Sequence, residues 1–282
     1  MHLIMILTAV TVSWILRCSW VITPGNWNVR WRKALFIFLF PPLLLFMTAI
    51  ALLCMGPQGK MGGTYTGGWL SYDLAFIALG YFAFLAIKLT FQGWQSVESA
   101  RNSPLVNLDG NLVRLLNTPA LFAGQIGFWQ PELVISQGLL QTLSPAHVES
   151  VLAHEQGHHF YRDTFWFFWL GWVRSCTTWL PNTDELWQEL LVLRELRADS
   201  YAVSQVDPLL LAESLVLVVS QTSVLPESEV CCAALGTAVG DRLEQRIDAL
   251  LAPPEPAPTI NWQSWQGFLL AFIPLLTVLF HT

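Results

Sequence analysis

The sequence predicts a mainly α-helical membrane protein in which a smaller α+β domain is enclosed between membrane helices, and three observations lead to that class. Hydrophobic residues make up 54% of the 282 positions and charged residues only 12%, against roughly 25% charged in ordinary soluble domains. A chain so poor in charge cannot clothe its own surface, so a bilayer is expected to do so. Four apolar runs of about bilayer length, 3–22, 34–55, 70–91 and 262–280, flank a single central stretch. That stretch, 92–251, holds most of the acids and shows strand-like and helix-like patterns of ordinary length instead.

The first run, Leu3 to Ile22, is interrupted by Arg17. It lacks a basic start and a small-residue cleavage site, so it reads as a retained span and not a signal peptide. The second, Ala34 to Met55, contains Pro41-Pro42, which should kink it. The third, Leu70 to Phe91, carries Asp73 and Lys88 near its ends, where long side chains can snorkel. The fourth begins at Trp262 and Trp265, behind the Pro-rich linker "APPEPAP". The alternative for each run is a buried core helix. Residues 1–91 are thus expected to hold three spans, 92–251 the central domain, and 252–282 the linker and last span.

Arg30, Arg32 and Lys33 lie between the first two runs, with Arg17 just inside the first, and only Lys60 lies between the next two. Excess Lys and Arg mark the cytoplasmic side. The N-terminus is therefore expected outside, and the central domain in the cytoplasm. The net charge of −6, with 14 scattered Lys and Arg, offers no basic footprint for nucleic acid. Fourteen tryptophans suit bilayer interfaces. The five cysteines, Cys18, Cys54, Cys176, Cys231 and Cys232, show no CxxC spacing. They read as reduced thiols or small apolar packers, with Cys231-Cys232 as the pair that could be redox-active instead.

In the central stretch "ALFAG" and "ELVISQG" read as short strands. "LSPAHVESVLAHEQGHHFYRD" reads as a helix, capped by Ser144 with Pro145 in its first position. On that helix His154 and His158, four apart, share one face and can hold one metal ion. Glu155 is rotated off that face, where it can reach a metal-bound water, the H-E-x-x-H arrangement. A catalytic zinc site needs a third protein ligand and an open position. "LLVLRELRADSYAV" offers Glu195 as that ligand and Asp199, four further on, to fix the tautomer of a ligand histidine. The alternative is that both acids pair with Arg194, Arg197 or Arg162 on a solvated face. His147 is about 10 Å along the helix from His154 and cannot share the metal. His159 points off the ligand face, and Asp163 is expected to pair locally.

With these two motifs in place the chain resembles the membrane-embedded gluzincin peptidases, among them the HtpX, CAAX prenyl protease and BlaR/MecR antirepressor peptidase families. The resemblance extends over "TPALFAGQIGFWQPELVISQGLLQTLSPAHVESVLAHEQGHH" and "DRLEQRIDALL". It implies a zincin-like α+β metalloprotease domain with a small edge sheet and active-site helices. It also implies one Zn²⁺ per chain on His154, His158 and Glu195, Glu155 as general base, Asp199 behind a ligand, and Arg246 as a further active-site residue. A protein or peptide substrate would lie extended along the edge strand, against Leu121, Phe122, Ala123 and Gly124. The layout resembles a multi-pass protein of a bacterial cell membrane. Two departures follow. The sequence stops at Thr282 with no penicillin-binding sensor, so beta-lactam sensing is not expected. The interval from His158 to Glu195 is too short for two crossings, so "TFWFFWLGWVRSCTTWLP" is expected to lie in the interface or dip partway, or else to pack as an ordinary buried helix. Hydrolysis of membrane or membrane-proximal proteins is the expected activity. Signal relay by cutting a transcriptional repressor, and a scaffold with structural zinc, are the alternatives.

Overall fold

The computed structural model describes residues 2–22, 25–57, 65–108, 110–222, 243–252 and 263–280. The Cys231-Cys232 pair, Lys60 in its Gly-rich loop, Trp262 and nearly all of the Pro-rich linker lie outside the described residues. The chain divides into two compact units: residues 1–88, 171–190 and 257–282 in one, and 89–170 with 191–256 in the other.

The first unit is helical. It holds α1 (His2–Cys18), α2 (Trp27–Met55) and the first part of α3 (Tyr65–Arg101). The described residues close with an apolar run of short α and 3-10 turns over 263–280. Two of these helices, over Trp27–Met55 and Gly68–Arg101, are long and apolar enough to cross a membrane. The expectation of four is met by two on that measure. At 17 residues α1 is shorter than the run 3–22 and falls below the roughly 20 residues a crossing takes.

Arg17, which the sequence puts just inside the first apolar run, turns inward and is fully buried. Pro42 has no N–H to give the Phe38 carbonyl four residues back. Arg17 Nη2 donates to that freed carbonyl at 3.0 Å. Its Nη1 donates to Thr183 Oγ1 at 3.2 Å, and its charge sits 5.1 Å over the Phe38 ring. Arg30 pairs with Glu189 at 2.7 Å, and both side chains are almost wholly buried. Two of the basic residues counted toward membrane sidedness are thus internal structural groups.

The second unit carries a four-stranded sheet of order β1-β2-β4-β3, with β1 (Leu105–Leu108), β2 (Asn111–Leu116), β3 (Ala123–Ile126) and β4 (Glu132–Ser136). Strand β2 runs parallel to β4, and the other pairs are antiparallel. One sheet face buries Val113 and Ile135 against Leu121, Leu139 and Leu152. Helix α4 (Gln137–Thr142) follows β4 directly and leads to α5 (Pro145–Phe160). Ser144 caps α5 and accepts from His147 N, with Pro145 in the first turn.

The strand expected over 120–124 instead spans Ala123–Ile126. Leu121 is only 3% exposed and belongs to the core, because Phe122 is where pairing with β4 begins: its carbonyl accepts from Ser136 N at 2.9 Å. Hydrogen-bonded and non-bonded positions alternate along an antiparallel pair. Gly124 and Ile126 therefore turn their backbone groups toward β4, and Ala123 and Gln125 turn theirs toward the free edge.

Helix α6 (Asp163–Cys176) has 14 residues, too few to cross. Its Phe167 and Leu170 are buried while Trp166 and Trp169 are 55% and 40% exposed, so it is amphipathic. Helix α7 (Thr183–Ala202) is continuous over 20 residues and carries Glu189, Glu195 and Asp199. Helices α8 (Pro208–Thr222) and α9 (Leu243–Leu251) complete the second unit.

Candidate metal centre

Helices α5 and α7 come into contact through Gly157. A methyl group there would stand 3.0 Å from both the Cα and the carbonyl oxygen of Ala198. This closeness brings one turn of α5 against one turn of α7. His154, His158 and Glu195 then offer ligand atoms within 4.8 Å of one another. The two Nε2 atoms are 3.1 Å apart, and they lie 3.4 and 3.7 Å from the Glu195 carboxylate oxygens. Ligands at about 2.0–2.1 Å on a tetrahedron are about 3.3 Å from each other, so these spacings fit one small cation.

The opposite edges of both rings face carboxylates. Asp199 Oδ1 lies 2.8 Å from His154 Nδ1, and Asp163 Oδ2 lies 2.7 Å from His158 Nδ1. An ionised carboxylate can only accept, so His158 Nδ1, hydrogen-bonded to Asp163, carries the hydrogen, whereas His154 Nδ1 lies close to Asp199 without meeting hydrogen-bond geometry. The two Nε2 atoms face each other and Glu195, where neutral rings would turn their lone pairs to a cation between them.

Arg246 is 4% exposed and grips Asp199 with Nε at 2.7 Å and Nη2 at 2.8 Å, while its Nη1 lies 3.2 Å from Glu195. Arg194 holds the other Glu195 oxygen at 2.7 Å. Arg197 pairs with Asp163 and lies 4.3 Å over the Tyr161 ring. Burial works to raise the Glu195 carboxyl, but Arg194, His158 and Arg246 outweigh it and hold the group well below its usual range. Burial likewise works to raise Asp199, and Arg246 and His154 outweigh it in the same direction. Burial works to lower both histidines. Asp199 outweighs it at His154, and Glu195 with Asp163 pushes His158 up to about 10.

Glu155 is 7% exposed, and its carbonyl accepts from Gln125 Nε2 at 3.4 Å, which ties the metal helix to β3. His147 stays with Ser144 and Glu213, away from the cluster. Both alternatives for Glu195 therefore coexist, since it faces the histidines and also pairs with Arg194.

Asp163 is the residue that sequence reasoning missed. It was expected to pair locally, yet it backs His158. Helix α5 ends at Phe160, and Arg162 adopts φ +54, which turns the chain back so that Asp163 meets the ring five residues earlier. The available signal was the carboxylate just past the second histidine. Arg162, a non-glycine residue, gives no sign in sequence of the left-handed conformation it takes.

The cluster is a candidate metal site built from an H-E-x-x-H helix and a carboxylate on a second helix. Residues 111–183 match the model of Peptidase family M48, a similarity that supports a metallopeptidase. The match covers His154, Glu155 and His158, and stops short of Glu195. No curated protein and no solved structure matches the chain.

Proposed function

We propose that the chain is an integral-membrane zinc metalloendopeptidase, with one Zn²⁺ on His154, His158 and Glu195, that cuts membrane or membrane-proximal proteins. The observation that carries this is the pair of facing Nε2 atoms closed by Glu195, with a carboxylate behind each ring. When bound, zinc supplies the Lewis acidity that brings the pKa of a water toward about 7. Glu155 accepts the proton of the attacking water and passes it to the leaving amine, a role typically worth about 10²–10⁴-fold. It follows His154 directly on α5 and is 7% exposed. Asp163 keeps the tautomer of His158, Asp199 stands behind His154, and Arg246 serves by holding Asp199 and Glu195. The substrate lies extended on the free edge of β3 and pairs with the backbone of Ala123 and Gln125.

The two long apolar helices and the exposed tryptophans of α6 support a multi-pass membrane protein, and Arg32 and Lys33 support placing the metal site on the cytoplasmic side. Reporter fusions after Lys60 and after Arg101 should lie on opposite sides, and the same side for both would refute that topology. The chemical test is elemental analysis with a cleavage assay on the full chain in liposomes. Wild type should hold one zinc and cut an unfolded reporter protein, and Glu195→Ala should lose both. Undiminished zinc in Glu195→Ala would remove that ligand from the account.

A further inference from the structure

A pocket of about 300 Å³ lies beside the metal helix, lined by Phe128, Trp129, Gln130 and Pro131 on one side and by His159, Arg162, Thr164 and Phe165 on the other. The first group is the β3–β4 loop. Gly127, at φ +128, starts the turn, and a side chain there would strike Gln130 and Pro131 at 3.0–3.1 Å. The second group is the α5–α6 corner, whose neighbours are His158 and the Asp163 that backs it. The pocket therefore stands where the free edge of β3 runs out, past Gln125 and its bond to the Glu155 carbonyl.

Its walls and its charge differ in character. Phe128 packs against Trp129 at 5.1 Å and Phe165 at 5.0 Å, so the apolar side is stiff. Among the described residues of this unit, Arg101, Arg114, Arg194, Arg197 and Arg246 each pair with a carboxylate. Arg162 pairs with none of the described acids, although it is held in a conformation that costs a non-glycine residue roughly 1–2 kcal/mol. Its backbone accepts from Phe165 and Trp166 and is thereby fixed at the corner. In a chain with a net charge of −6, an exposed guanidinium with no ion-pair partner among the described acids, at the rim of an aromatic pocket, is a site complementary to an anion.

We propose that this pocket is a specificity subsite that takes a carboxylate-bearing residue of the peptide substrate, with Arg162 on the carboxylate and Phe128, Trp129 and Phe165 around its methylenes. The inference rests on the peptidase reading and deepens it. A carboxylate at this place could be a Glu or Asp side chain or a C-terminal carboxylate, and the two sources are separable.

The test uses the full chain as Glu155→Gln in lipid nanodiscs, loaded with zinc, and binding of fluorescent decapeptides that carry Glu or Gln at successive positions, with free or amidated C-termini. Glu at one position should tighten binding about fivefold over Gln, in keeping with a hydrogen bond to a charged group. The preference should vanish in Arg162→Gln and survive in Arg162→Lys, with zinc content unchanged in both. A preference that follows the free C-terminus supports the pocket with the other carboxylate source. Equal binding of Glu and Gln peptides, each measurable, overturns the subsite but leaves the peptidase reading standing. Affinity that tracks anionic lipid content and ignores peptide sequence overturns it in favour of a headgroup site. Absence of binding by every peptide overturns it as well, and the cleavage assay on wild type then decides the parent reading separately.

Discussion

Gly157→Ala isolates what positions the metal site. The added methyl would stand 3.0 Å from Ala198 Cα, 3.0 Å from its carbonyl oxygen and 3.3 Å from its Cβ. Carbon contacts are comfortable at about 3.5–4.0 Å, so α5 and α7 must part by roughly 0.5 Å at this point. Two of the three clashes are with backbone, which no rotamer change can relieve. Ligand distances in working metal sites hold to within about 0.2 Å, and Glu195 sits on the displaced helix. Two effects compete on stability. Alanine gains about 1 kcal/mol over glycine in a helix interior, and overpacking costs about 1–3 kcal/mol. The metal-free protein should therefore end between neutral and about 2 kcal/mol less stable. Zinc affinity, which depends on the geometry alone, should fall about tenfold or more. Competition with a chromophoric chelator measures the affinity, and thermal unfolding measures the stability. Adding Ala198→Gly removes only the 3.3 Å contact and should not restore binding. Zinc affinity within twofold of wild type together with a gain in stability would refute the close approach of the two helices as the source of the site.

Arg30→Met should destabilise the chain by about 3–5 kcal/mol, because it strips the cation from the buried Glu189 carboxylate. Arg30→Met combined with Glu189→Leu should recover most of that loss in the same thermal unfolding assay, and a double variant as weak as the single would contradict the pairing. Zinc uptake at pH 7 should release a proton from His158. The folded pKa of His158 is pushed up to about 10 by Glu195 and Asp163, so that ring is protonated at pH 7 in the metal-free chain and must be neutral to ligate. Apparent affinity should accordingly rise with pH from neutrality toward 10. Calorimetry in buffers of different ionisation enthalpy reads the proton count, and zero release would contradict the raised value.

How much of this was legible in sequence depended on whether the signal was local. His154 and His158 sit four apart on one helix, and Glu195 and Asp199 repeat that spacing on another, so helical geometry alone places each pair on a face. Ser144 and Pro145 announce the start of α5 for the same reason. The partners of Arg17 and Arg30 could not be read this way. A carbonyl freed by Pro42 and a carboxylate at Glu189 are distant in sequence, and a basic residue at the end of a span reads as a sidedness charge until its contacts are known. Asp163 was missed because its role depends on the left-handed turn at Arg162. The edge strand was placed a few residues early, since "ALFAG" gives apolar alternation without showing that Leu121 turns into the core and that pairing starts at Phe122.

The most direct test of the central claim is the rate of hydrolysis by Glu155→Gln at zinc loading equal to wild type. The amide is nearly the size of the carboxylate, and His154, His158 and Glu195 are untouched, so the variant should keep its zinc. It cannot accept the proton of the attacking water at neutral pH, so cleavage of an unfolded reporter protein in liposomes should fall by about 10²–10⁴-fold. If wild type cuts and Glu155→Gln cuts as fast, Glu155 is not the base and the account of catalysis is wrong.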